Sequence, residues 1–222
     1  LKYIRPFDST YAIGQGAVAI SQVHDEVSRM RDMVAKNIND AYDILIRYDN
    51  KARKKVTERE EYIDYLNRGI SEYIVSMMGN EKSFSDSKQM NGFYVIISNL
   101  ERMGDHAVNL AEYADDLKKW ELKFSENVLE ELDDMKKQCL AALDIIKDVR
   151  LEQAGYVLNK ASAIEQKIDD TRDKYFKKQM QRLKKGKCKP QTGIIFTEIL
   201  TDFERLGDHV KNIAQQYDEM GS

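Results

Sequence analysis

The sequence predicts an all-α protein made of two similar three-helix bundles that lie side by side. Three observations lead to this fold class. Only 2 prolines and 11 glycines interrupt the 222 residues, so long helices can form without breaks. Apolar residues recur at steps of three and four over long stretches, as in helices that bury one stripe. A motif in the first half of the chain also recurs in the second half, which indicates a duplicated unit.

Six helices follow from these patterns, three in each half. We expect them near residues 16–50, 54–79, 86–119, 125–150, 153–185 and 191–219. Breaks are predicted at Gly79-Asn80, at 120–125 and at 186–190, and Ser125 is a plausible start signal for the fourth helix. The apolar steps favour long antiparallel helices that cross at shallow angles.

Three of these helices have especially regular apolar stripes. The stripe of the second helix is Ile63, Leu66, Ile70, Tyr73 and Met77. The third helix has Phe93, Ile96, Leu100, Met103, Ala107, Leu110, Ala114 and Leu117. The sixth helix repeats this pattern with Phe196, Ile199, Phe203, Leu206, Val210, Ile213, Tyr217 and Met220. We predict that these stripes form the cores of the two bundles.

The repeat is clearest late in each half, where E-R-x-G-D-H occurs twice at an offset of 103 residues. The identical pairs are Glu101/Glu204, Arg102/Arg205, Gly104/Gly207, Asp105/Asp208, His106/His209, Asn109/Asn212 and Ala111/Ala214. An earlier E-x-x-I-D motif also occurs in each half, at an offset of 105 residues. We therefore predict a linker over 1–15, a first three-helix repeat over 16–120 and a second over 121–222.

Carboxylates four residues apart recur at four places. They are Glu60/Asp64, Glu101/Asp105, Glu165/Asp169 and Glu204/Asp208. On a helix, residues at this spacing lie on one face, about 40° apart. Their like charges repel unless a cation lies between them, and such oxygen donors suit iron, manganese, magnesium, calcium or zinc.

These acids are expected to face outwards, because Glu101 and Glu204 directly follow core residues. A metal site would then be a surface cluster in a groove between helices. Gly104 and Gly207 precede the aspartates, and a glycine inside a helix costs about 1 kcal/mol relative to alanine. A closely approaching helix or a bound ion would explain both glycines.

Other interpretations of these polar residues remain open. The acids could be solvated, or they could form interhelical ion pairs with Arg102 and Arg205. His106 and His209 could be metal ligands, could support ligands, or could be exposed at the flank of a bundle.

Composition and motifs argue against several functional classes. The net charge of -3 offers no excess of cations for nucleic acid. No apolar run approaches the length of a membrane span, and the two separated cysteines fit a reducing, cytoplasmic setting. We find no nucleophile–base pair, glycine-rich phosphate loop or nucleotide motif, so we do not expect an enzyme.

The doubled E-R-x-G-D-H-x-x-N-x-A segment, with an earlier E-x-x-x-D in each half, resembles the PhoU family from about residue 20 to 219. The resemblance implies two similar three-helix bundles with multinuclear metal clusters. One cluster would use Glu60, Asp64, Glu101 and Asp105, and the second would use Glu165, Asp169, Glu204 and Asp208. Iron is the first choice of metal, and zinc, manganese and magnesium are alternatives.

The resemblance also implies a regulatory role in phosphate transport or phosphate signalling. Stand-alone members are cytoplasmic proteins that act with a phosphate transporter and a sensor kinase. A related group carries the domain as the C-terminal cytoplasmic tail of sodium/phosphate cotransporter-like proteins. The opening segment 1–8, which lacks a methionine, and the extended first helix favour this tail reading, with the domain at the inner face of the cell membrane.

The expected partner is a membrane phosphate transporter, in cis or in trans, with a sensor kinase and a second copy of the chain as further candidates. The alternatives are a stand-alone PhoU-type regulator and a metal-free helical adaptor. A di-iron carboxylate enzyme is disfavoured, because that chemistry uses Glu-x-x-His motifs that project into the bundle. No such motif occurs in this sequence.

Overall fold

The computed structural model describes residues 16–78 and 84–222, and this part of the chain is built from six long α-helices. They are α1 (Gly16–Ile46), α2 (Asn50–Met78), α3 (Phe84–Lys119), α4 (Glu126–Ile145), α5 (Ala154–Lys184) and α6 (Pro190–Gly221). A 3₁₀ turn over Leu151–Gln153 precedes α5. The predicted linker over 1–15 and the predicted break at Gly79-Asn80 lie outside the described residues. No helix in the described part combines the length and the apolar character that a membrane span requires.

The six helices form two three-helix bundles, which confirms the predicted fold class. In the first bundle α1, α2 and α3 pack against one another, and in the second α6 packs against both α4 and α5. The bundles meet mainly through α3 and α6. The two helices that carry E-R-x-G-D-H are therefore central and adjacent.

The predicted apolar stripes form the core. All eight stripe residues of α3 and all eight of α6 are buried. In α2 the stripe is buried from Ile63 to Tyr73, and Met77 at its end is partly buried against the core. Because each stripe occupies one side of its helix, the polar motif residues are left on the remaining faces.

Three helix boundaries differ from the prediction. Helix α1 ends at Ile46. Helix α2 begins at Asn50, because the Asp49 carboxylate accepts a hydrogen bond from the backbone N–H of Ala52 and so caps α2. Helix α4 ends at Ile145 rather than near 150. Asp148 shortly afterwards has a φ of 49°, a left-handed conformation that does not continue a helix.

The predicted start of α4 is confirmed, since Ser125 occupies the position before its first residue. Its hydroxyl makes no capping hydrogen bond to the helix. The extended backbone of Ser125, with φ -73° and ψ 160°, is typical of the residue before a helix.

Helices α3 and α6 run antiparallel across the junction of the two bundles. A Cβ added at Gly92, near the start of α3, would meet Met220 at the end of α6. Further along α3, Asn109 donates a hydrogen bond to Asp202, which lies 18 residues before Met220 on α6. The absence of a side chain at Gly92 allows the close approach at the first of these contacts.

Candidate metal centres

The first predicted set of carboxylates lies on two adjacent helices, with Glu60 and Asp64 on α2 and Glu101 and Asp105 on α3. The Glu60 carboxylate lies against the backbone of Gly104. A Cβ at Gly104 would come within 2.7 Å of Glu60 Oε2. The motif glycine of α3 therefore makes room for a carboxylate from α2, and any larger residue would displace it.

The carboxylates of the first set raise one another's pKa, although within the described residues no three of them have oxygens that all lie within 4.8 Å of one another. Burial is the largest cause that raises the pKa of Glu60 to about 8. The negative charges of Asp64, Asp105 and Glu101 raise it as well. Burial and the charge of Asp105 raise the pKa of Glu101, and burial and Asp64 raise the pKa of Asp105. Each carboxylate thus makes ionisation of its neighbours more costly.

The first set fits a bound cation. Both carboxylate oxygens of Glu60 are buried and lack a hydrogen-bond partner among the described residues. A buried carboxylate without donors is costly, and a cation among the four acids would supply the missing interaction. The donors are all oxygens, as iron, manganese and magnesium accept.

The second predicted set has the same arrangement, with Glu165 and Asp169 on α5 and Glu204 and Asp208 on α6. Carboxylate oxygens of Glu165, Asp169 and Asp208 all lie within 4.8 Å of one another. Burial is the largest cause that raises the pKa of Asp169 to about 6, and Glu204 is among the nearby charges that raise it. In the part of the chain that the structure describes, Asp169 Oδ1 is buried without a hydrogen-bond partner. This set also fits a cation held by oxygen donors.

The two sets differ in one charge. Lys211 Nζ donates a hydrogen bond of 3.0 Å to Glu165 Oε1, so the second set already contains an ammonium group. The corresponding position of the first repeat is Val108, which supplies no charge. Gly207 also differs from its counterpart, because a Cβ there would meet Ile168 Cδ1 at 3.1 Å rather than a carboxylate. The first set therefore lacks the ammonium group that offsets part of the negative charge in the second set.

The prediction that the carboxylates face outwards is correct for some of them and wrong for others. Asp64 and Asp105 are exposed. Glu165 is only 9% exposed, and the oxygens of Glu60 are buried, because each glutamate of the earlier motif points across the groove to the next helix. Asn109, one turn beyond Asp105 on α3, uses its amide to donate a hydrogen bond to Asp202 on α6.

The two histidines lie between the bundles, which the sequence did not decide. Their rings pack against each other with centroids 5.5 Å apart. His106 Nδ1 donates to Asp202 Oδ1 at 2.7 Å, and His209 Nδ1 lies 3.0 Å from Asn99 Oδ1. Each histidine therefore joins its own helix to the helix of the other repeat.

Asp202 and Asn99 were missed by sequence reasoning, although they occupy corresponding positions of the two repeats. Asp202 is 4% exposed. The available signal was that a polar residue directly precedes a core residue at the same position of both repeats. Burial is the largest cause that lowers the pKa of His209 to about 4, followed by repulsion from His106. His209 is therefore neutral at neutral pH.

The interhelical ion pairs considered for Arg102 and Arg205 do not form. Within 16–78 and 84–222, neither guanidinium group lies within 4.0 Å of a carboxylate oxygen. Both side chains are exposed. The arginines of the motif therefore need another explanation.

The Glu60 environment predicts an unusual pH dependence for the metal-free protein. The folded pKa of Glu60 lies near 8, above the ordinary value of 4.5, so the folded state binds more protons than the unfolded state between these limits. Stability therefore falls as pH rises through this range. Replacing Glu60 with glutamine removes the charge, and we expect it to raise the free energy of unfolding near pH 8 by about 1–2 kcal/mol, after allowance for solvent screening.

Urea unfolding in the presence of a chelator, at about pH 5 and about pH 8, measures this effect. The variant's free energy of unfolding should change less between the two pH values than that of the unmodified protein. Glu61→Gln is the matched control, because Glu61 is an exposed neighbour on α2. Equal pH dependence in the unmodified protein and both variants would contradict the prediction.

Comparison with known proteins assigns both halves of the chain to the same domain. The PhoU domain matches residues 27–114 and 126–217. The phosphate-specific transport system accessory protein PhoU homolog 1 of Thermotoga maritima is 27% identical over 200 residues, which cover 89% of this chain and 84% of that protein. The corresponding homologue from Synechocystis sp. is 26% identical over 207 residues, which cover 89% of this chain and 87% of the relative.

Two crystal structures have the same fold. PhoU from Pseudomonas aeruginosa has a TM-score of 0.84 at 21% identity, and the match covers 93% of this chain and 98% of that one. The phosphate transport system regulatory protein PhoU from Streptococcus pneumoniae has a TM-score of 0.80 at 19% identity, with 93% and 96% covered. At these identities the structures support the six-helix fold alone.

Proposed function

Because the chain belongs to the PhoU domain family, we propose that it is a metal-binding regulator of phosphate transport that acts on a membrane phosphate transporter. The observation that carries this proposal is the match of both repeats to the PhoU domain. The relatives described above are named as accessory proteins of phosphate-specific transport systems. Those names support a regulatory role rather than a catalytic one.

Metal binding is supported by the two converging sets of carboxylates. Glu60, Asp64, Glu101 and Asp105 would hold one metal centre, and Glu165, Asp169, Glu204 and Asp208 would hold the other. A bound cation would supply the positive charge that offsets repulsion within each set. The fold packs α2 against α3 and α5 against α6. Each pair of helices thereby brings one set of four carboxylates to the groove between them. Iron remains the first choice, with zinc, manganese and magnesium as alternatives.

The relatives support a stand-alone regulator better than the tail of a cotransporter. The matches cover 84% and 87% of the lengths of the two accessory proteins. It stays a prediction that the chain is the C-terminal tail of a sodium/phosphate cotransporter-like protein. Its location at the inner face of the cell membrane also stays a prediction. A sensor kinase and a second copy of the chain stay predictions as further partners.

A cellular assay tests the proposed function. The chain is expressed in a bacterium from which its own phosphate-transport accessory protein has been deleted, and the uptake of radiolabelled phosphate is measured. We expect expression to change the uptake rate at least about twofold, and the variant with Asp105 and Asp208 both replaced by asparagine to have little effect. An uptake rate that is the same with and without the chain would argue against the proposal, provided that the protein is present at normal levels.

A further inference from the structure

Arg102 and Arg205 are two exposed cations whose role is not explained by contacts among the described residues. They occupy equivalent positions in the two repeats, directly after Glu101 and Glu204. Within 16–78 and 84–222, neither arginine makes an ion pair or a side-chain hydrogen bond. An arginine fork that is exposed and unpaired is available for a ligand.

The pairing of α3 with α6 brings these two arginines together. His106 binds Asp202, and His209 binds Asn99, so each histidine contacts the residue seven positions before the other histidine. These two contacts pair the segment 99–106 of α3 with the segment 202–209 of α6 in antiparallel order. The residues about halfway along one segment therefore lie opposite those halfway along the other, at the centre of the crossing. Arg102 and Arg205 both lie four positions before the histidines, which puts them opposite each other there.

Both arginine side chains are exposed, and both helices are held in this register by the two histidine contacts. The two cations therefore lie on one exposed stretch of the α3–α6 crossing, where like charges repel each other.

We propose that Arg102 and Arg205 form a single anion-binding site on the exposed side of the α3–α6 crossing, and that its ligand is inorganic phosphate. Guanidinium groups bind tetrahedral oxyanions through paired, charge-assisted hydrogen bonds. An anion between the two arginines also removes their mutual repulsion. The choice of phosphate among tetrahedral oxyanions rests on the proposed function.

The surrounding charges are consistent with such a site when the metal centres are filled. The acids that flank the arginines in the sequence are Glu101 and Asp105 on α3 and Glu204 and Asp208 on α6, and all four belong to the candidate metal centres. Cations bound by those carboxylates would offset their negative charge. The arginines would then present a positive surface between two neutralised centres, and phosphate would bind more tightly to the metal-loaded protein than to the metal-free protein.

Calorimetric titration with inorganic phosphate tests this site. The full chain is titrated at constant ionic strength, once metal-free in chelator and once after loading with iron or manganese. We expect the double variant Arg102→Gln, Arg205→Gln to bind phosphate at least about tenfold more weakly than the unmodified protein. The matched control is Arg47→Gln, Arg150→Gln, which removes two charges from exposed arginines elsewhere and should change the dissociation constant less than twofold.

Several outcomes would overturn the inference. Absence of phosphate binding by the unmodified protein in both metal states is one, and equal weakening in the control variant is another. Unchanged binding in the Arg102/Arg205 variant would place phosphate elsewhere, for example on the metal itself. Sulfate that competes equally with phosphate would contradict the choice of phosphate. The uptake assay is independent of this titration. If the chain changes phosphate uptake but does not bind phosphate, this inference is wrong and the proposed function stands.

Discussion

Replacing Asp105 and Asp208 together with asparagine is expected to abolish stoichiometric metal binding by the purified protein. Each aspartate belongs to one of the two predicted carboxylate sets, and removing a negative charge from a set weakens its attraction for a cation. An amide lacks the charge that makes a carboxylate a strong ligand for hard cations. Elemental analysis by plasma mass spectrometry should find several metal ions per chain in the unmodified protein and fewer than about one in the variant.

The single variants should separate the two centres. Asp105→Asn should empty the first centre, and Asp208→Asn the second. We also expect the first centre to bind metal about tenfold more tightly, because an ion entering the second must compete with the Lys211 ammonium that binds Glu165 at 3.0 Å. Lys211→Gln should therefore reduce the difference between the centres.

The control for these variants is the pair Glu112→Gln and Glu219→Gln, which changes exposed acids on the same two helices. It should leave the metal content unchanged. Protein that stays empty after incubation with iron, zinc and manganese would refute the metal assignment. The chain would then fit the metal-free helical adaptor that the sequence also allowed.

Asp202→Ala is expected to be the most destabilising polar substitution at the junction of the bundles. Asp202 Oδ1 accepts hydrogen bonds from His106 and Asn109, and the residue is 4% exposed. Its removal leaves both donors without their acceptor in a place that water does not easily reach. We expect the free energy of unfolding to fall by about 2–4 kcal/mol, as measured by urea denaturation.

Two further variants show whether the lost acceptor is the cause. Asp202→Asn keeps a carbonyl oxygen and should recover part of the lost stability. Glu198→Ala removes an exposed acid one turn earlier on α6 and should change stability by less than about 0.5 kcal/mol. If all three substitutions had equal small effects, Asp202 would not hold the two bundles together.

Much of the helical framework could be predicted because helix periodicity is a local property. The stripe from Phe93 to Leu117 on α3 identifies the buried side of that helix without knowledge of its neighbours, and every residue of the stripe is buried. The boundary between α1 and α2 was predicted less well. The start of α2 depends on a single capping interaction, between the Asp49 carboxylate and the Ala52 N–H, which the apolar pattern does not report.

The candidate site was predictable to the extent that its residues repeat. The four acidic pairs follow from spacing along single helices, and their recurrence at similar offsets identified the two sets of ligand candidates. The same spacing left the histidines undecided between ligands, supports and exposed residues. Their partners, Asp202 and Asn99, lie about a hundred residues away in the chain, beyond the reach of any local pattern.

The sequence by itself determined the helices, the duplication and the buried side of each helix, because these depend on residues a few positions apart. Only the tertiary structure decided how the helices pair. It brought Glu60 against Gly104, gave the second set a cation in Lys211, and paired His106 with Asp202. Such contacts depend on how side chains pack between helices, since the register of two helices is set by the shapes of both surfaces together.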